Sequence, residues 1–119
     1  MKPITQLRKK AKLGNHGYPQ ATLAFYGPDD QMATKAVLGI YLREGEECTL
    51  FRFFSEDKDI RFKIDVQQSI LARLKEHAVR SLIMVEKIFG CPHEEGIDYP
   101  EGEACPRCPF WKNRDRYAA

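Results

Sequence analysis

Along residues 20–56 apolar and β-branched residues come in three short runs separated by turn formers. "ATLAFYG" (21–27) ends at Gly27-Pro28-Asp29-Asp30, a strong turn signal. "ATKAVLGIYLRE" (33–44) closes at Gly45 and two glutamates, and "CTLFRFFSE" (48–56) runs into the charged loop "EDKD". Three strands joined by short turns predict an antiparallel meander. From Asp65 the period changes. Val66, Ile70, Leu74 and Ala78 stand four apart with Leu71 beside them, which is the apolar face of a helix. Asp65 with Gln68 three residues later reads as a capping box at its start. "RSLIMVEKIFG" (80–90) returns to strand spacing almost at once, so the helix crosses one face of the sheet before a fourth strand enters it.

The order β-β-β-α-β predicts an α/β (α+β) domain with a mixed sheet. It is similar to the first half of a ribonuclease-H-like topology. That resemblance does not extend to metal-dependent nuclease chemistry, because "ATLAFYG" lacks the aspartate that those enzymes carry in the first strand.

Residues 90–111, "GCPHEEGIDYPEGEACPRCPFW", differ in kind. Three of the four cysteines, one of the three histidines and four of the seven prolines fall in these 22 positions. Cys91, His93, Cys105 and Cys108 spell C-x-H-x11-C-x2-C. The C-x2-C half forms a tight turn that aims two sulfurs at one point, with Pro106 pre-set for its first corner. In the C-x-H half, Pro92 holds Cys91 extended, and alternate residues of an extended chain point the same way. With no export signal in the sequence and Cys48 43 positions from the nearest other cysteine, the cluster points to metal rather than disulfides. One histidine and three thiolates favour zinc over iron.

Two other chemistries meet obstacles. A redox C-x2-C pair opens a helix, whereas Pro109 follows Cys108 directly. His93-x-Glu95 with Cys105-x2-Cys108 resembles the zinc-dependent deaminases. Ala104 replaces the expected proline, however, the two motifs lie too close together, and Cys91 would close the ion to water. A hydrolase reading remains as the alternative. If one ligand were absent, Glu94, Glu95 or Asp98 could serve as base beside an open zinc position. In a Pro/Gly-rich loop the same acids also read as solvated surface.

Composition then bounds the rest. The chain has 119 residues, 43% hydrophobic and 30% charged, which is one globular domain. Apolar runs are too short for a membrane span, and the expected location is cytoplasmic. A net charge of +2 conceals an imbalance. Residues 1–20 hold Lys2, Arg8, Lys9, Lys10 and Lys12 without an acid, and Glu94 to Glu103 hold five acids without a base. Residues 1–16 are expected to be a flexible basic arm, 17–90 the β-β-β-α-β unit and 91–119 a zinc-binding segment packed on it. Past the cluster, "FWKNRDRY" interleaves aromatic and basic residues, which suits nucleic acid. Phe110 and Trp111 could instead cover the metal site.

The 90–111 run, together with "AFYGPDD" and "FSEDKDIR", resembles a group of short bacterial proteins without an assigned activity. The resemblance spans about residues 17–117 and implies a coherent domain with residues 1–16 as a peripheral addition. The reading is a small zinc-binding module with mainly structural zinc and a nucleic-acid or protein partner.

Overall fold

A computed structural model describes residues 1–111. The basic and aromatic residues Lys112, Arg114, Arg116 and Tyr117 singled out above lie outside them. Four strands, β1 (Gln20–Tyr26), β2 (Lys35–Tyr41), β3 (Thr49–Phe54) and β4 (Ser81–Ile88), form one sheet in the order β3-β2-β1-β4. The meander is antiparallel, with Leu23 opposite Leu38 and Leu38 opposite Phe51. β4 runs parallel to β1, from Gln20 opposite Ser81 to Phe25 opposite Ile88. The mixed α+β sheet and its crossover are those expected.

Period-two alternation decides which side is covered. Ala21, Leu23 and Phe25 of β1 are buried, as are Ala36, Leu38 and Ile40 of β2. They pack with Val66, Ile70 and Leu74 of helix α2 (Ile64–Glu76). The other side, with Val37, Tyr41, Leu50, Arg52 and Phe54, has no helix over it among the described residues, and Leu50 and Phe54 are exposed.

Three local expectations are corrected. Residues 1–16 are not a free arm, because Pro3–Lys12 form a further helix, α1. Ile4, Leu7 and Ala11 share one of its faces, and Leu7 is buried in the core while Ala11 packs against it. Pro at the first turn costs no hydrogen bond there. α1 lies against α2 and β4, and Arg8 donates to the Glu86 carboxylate at 2.6 Å.

The helix α2 has no capping box. Lys63 is its N-cap residue and Asp65 lies inside the first turn, where it favours the helix dipole without capping it. Ala78 lies beyond the helix. Its amide bonds the Lys75 carbonyl and that of Val79 bonds Leu74, a Schellman closure that puts Ala78 at φ +49°.

β4 carries two additional residues between Met84 and Ile88 relative to β1. Beyond this bulge the chains stay paired, as Phe89 N–H donates to Phe25 O and Gly27 N–H to Gly90 O. The sheet therefore holds the backbone up to the residue before Cys91.

Candidate metal centre

Cys91 leaves the end of β4, and Pro92 turns the chain so that His93 faces back toward it. The His93 Nδ1 atom lies 3.4 Å from the sulfur of Cys91, of Cys105 and of Cys108. Bonds of ~2.3 Å to sulfur and ~2.0 Å to nitrogen at tetrahedral angles separate N from S by about 3.5 Å. All four ligand atoms lie within 4.8 Å of one another. One imidazole equidistant from three sulfurs is the arrangement a single four-coordinate ion requires, and this cluster could hold a metal ion. Cys48 is not part of it. It hydrogen-bonds the Tyr41 phenol, which raises the tyrosine's pKa, with burial adding to the rise.

The three cluster cysteines are buried, with Tyr99 beside them and Trp111 packed against them. Burial, first of all, pushes the Cys91 and Cys108 thiols above their ordinary pKa, and the neighbouring sulfurs add to the rise at Cys108. Three thiolates this close repel one another, so a cation is what would keep them ionised together. His93 is half-buried, and its backbone N–H donates to Cys91 Sγ at 3.3 Å.

The acids beside His93 are mostly committed elsewhere. Glu94 Oε1 accepts from Arg52 Nε at 2.7 Å and from Lys35 Nζ at 3.0 Å. The Arg52 bond and then Lys35 hold its carboxyl below the ordinary range, although burial works the other way. Asp98 Oδ2 accepts the Glu94 amide at 2.7 Å and closes the turn. Gly96 crosses that turn at φ +81°, and its N–H bonds the Tyr99 carbonyl. Glu95 is exposed. Of the three acids proposed as general bases, Glu94 and Asp98 thus serve as struts.

Sequence reasoning missed two supporting residues. Lys35 is 4% exposed, and its ammonium also donates to the Pro92 carbonyl, between Cys91 and His93, at 2.9 Å. Arg52 completes the clamp on Glu94. The available signal was a lysine directly before the apolar stretch "AVLGIYL" (36–42). Trp111 anchors the end of the described part of the segment, since its indole N–H donates to the Gly27 carbonyl at 2.7 Å and its backbone N–H to Cys108 O. Phe110 meets the Trp111 ring edge-on. Of the two roles the sequence left open for Phe110 and Trp111, covering the cluster is the one Trp111 plays.

The chain matches no family model, no curated protein and no solved structure.

Proposed function

We propose that this chain is a zinc-stabilised binding module in which the ion is structural and the partner is a nucleic acid or a protein. The carrying observation is the equal 3.4 Å spacing of His93 Nδ1 from three sulfurs. Four protein ligands fill a tetrahedron and leave no position for a reacting water. Zinc suits the donor set, because thiolates with one imidazole favour it over hard cations.

The metal segment has little apolar content of its own. Its described part buries Tyr99 and the cysteines and rests on Trp111. Ligation would supply the free energy that its side chains do not. With Glu94 and Asp98 engaged as struts, the hydrolase alternative is left with Glu95 alone among its three acids.

The test is reconstitution with cobalt(II) of protein purified without metal. The visible d–d bands should report one tetrahedral site per chain with three sulfur ligands and one nitrogen. Variants Cys91→Ser, His93→Ala, Cys105→Ser and Cys108→Ser should each weaken binding and loosen the same segment. A five- or six-coordinate spectrum, or one variant that keeps full affinity, would argue for an open site and restore the hydrolase reading.

A further inference from the structure

We infer that the end of the molecule opposite the metal segment is a contact surface for the phosphate backbone of nucleic acid. The inference rests on the binding-module reading and names one of its two partner classes.

The strands set the two ends. β1 and β4 both start at one end, where Gln20 pairs with Ser81, and both finish at the other, from which Cys91 departs. Seven strand residues separate these ends by roughly 20 Å. α1 runs the opposite way, because Arg8 meets Glu86 near the finish of β4, whereas the loop after α1 meets the start of β4. In that loop the His16 amide donates to Ser81 Oγ at 2.7 Å. The last turn of α1 and the turn from α2 into β4 are therefore brought together at the starting end.

Five cations from two distant stretches of sequence stand along the C-terminal half of α1 and toward that end. Lys9 and Lys12 line one flank of α1 in a groove shared with Arg8 and Glu86, and Lys10 shares a groove with Lys75 of α2 on the other. The Arg80 guanidinium lies 3.9 Å from where a Cβ on Gly17 would stand, in the loop after α1. Four of the five are exposed and Lys10 is half-buried. The acids nearest to them are already matched, Glu86 with Arg8 and Glu76 with Arg73. No side-chain hydrogen bond or ion pair to a described residue occupies Lys9, Lys10, Lys12, Lys75 or Arg80.

Lysines in the last turn of a helix also complement its own dipole, but that dipole amounts to about half a charge at the helix end. It accounts for one of the five at most. A spread of point charges, with no enclosed pocket to fix one small anion, matches a polymer of repeated phosphates. Insertion into a membrane is disfavoured, since Leu7, the central apolar residue of α1, is only 1% exposed and faces the core. The metal segment, with its acids, stands at the far end, which orients the molecule toward a polyanion.

The experiment is fluorescence anisotropy of zinc-loaded full chain with a labelled 20-nucleotide single strand and a 20-base-pair duplex of mixed sequence, between 50 and 200 mM salt. Five phosphate contacts should give a slope of log affinity on log salt of about −3.5 to −4.5. The triple variant Lys9→Gln, Lys12→Gln, Arg80→Gln should reduce it to about −1.4 to −1.8, with zinc content and thermal midpoint unchanged. Lys58→Glu, near the opposite end, should shift affinity less than twofold. Should the triple variant fold poorly, the pair Lys12→Gln and Arg80→Gln should still lower the slope by about 1.4 to 1.8.

The inference is overturned if neither oligonucleotide binds at 50 mM salt or if these variants bind like the parent. It is also overturned if phosphatidylserine vesicles bind and oligonucleotides do not. Salt-sensitive self-association of the free protein, with no oligonucleotide binding, would assign the basic end to another copy's acidic loop instead. Each of these results leaves the zinc reading intact, whereas loss of zinc or fold in the parent protein would fail that reading independently.

Discussion

The Trp111 indole donates a hydrogen bond of 2.7 Å to the carbonyl of Gly27, 84 residues earlier in the chain. Gly27 also gives its N–H to the Gly90 carbonyl, directly before Cys91. The residue after β1 thus holds both the entry and the last described residue of the metal segment. Gly27 has no room for a side chain, as a Cβ there would stand 2.1 Å from the Met32 carbonyl oxygen. Trp111→Phe should keep much of the packing but lose the hydrogen bond, at a cost of about 1–2 kcal/mol. Gly27→Ala should cost about 3 kcal/mol, since backbone must move to admit the methyl. Chemical denaturation of zinc-loaded protein checks both, and equal stability of Trp111→Phe and parent would show that the bond contributes nothing.

Lys35, Glu94 and Arg52 form a second clamp. Removing the carboxylate charge by Glu94→Gln leaves the buried Lys35 ammonium without a counter-ion, its acceptors being the Pro92 carbonyl and the new amide oxygen. Breaking a fully buried pair costs several kcal/mol, but the Glu94 side chain is 29% exposed. Water therefore lowers the expected loss to about 1–3 kcal/mol. Zinc affinity should fall as well, because Lys35 positions the Pro92 carbonyl between two ligands. Calorimetry and a competitive zinc titration on this variant provide the check.

The same carboxylate gives a pH dependence. Its pKa is lowered in the folded chain by Arg52 and Lys35, so its contribution is complete above the unfolded value, about 4.3. That contribution is lost as pH falls through the lower folded value. Asp59 follows the same sign. Burial alone would raise its pKa, but hydrogen bonds from Arg61 bring it below the ordinary range. Stability of the parent should thus decline below about pH 4.5 more steeply than that of Glu94→Gln. Parallel acid titrations of the two proteins would refute this.

Ala78 sits at φ +49°, a backbone region that disfavours any residue with a Cβ. It occupies the position after the C-cap where glycine is commonest. Ala78→Gly should stabilise the fold by about 1 kcal/mol and raise the thermal midpoint by roughly 4 °C. A lower midpoint would mean that the methyl makes a contact worth more than the strain.

The strands, the crossover helix and the cysteine cluster were legible because each rests on local pattern. Alternation of Ala21, Leu23 and Phe25 fixes a strand face, and the C-x2-C spacing fixes a turn. α1 is hidden in the sequence, since Lys9, Lys10 and Lys12 mask the spacing of Ile4, Leu7 and Ala11. That spacing becomes meaningful only once a core exists to receive Leu7. The capping box failed for a related reason, as tertiary contacts start α2 one residue before Asp65, the side chain placed to cap it. The partnership of Glu94 with Lys35 and Arg52, and of Trp111 with Gly27, joins residues 42 to 84 apart. No local pattern encodes such pairs.

On the proposed zinc reading the order of the metal segment depends on one ion, and native mass spectrometry of the purified full chain, before and after chelation, tests that most directly. The parent and Cys48→Ser should each carry one zinc. Removal should strip hydrogen-exchange protection from residues 91–111 and leave the β1–β2 pairing protected. A metal-free protein whose residues 91–111 are equally protected with and without chelator would contradict the account.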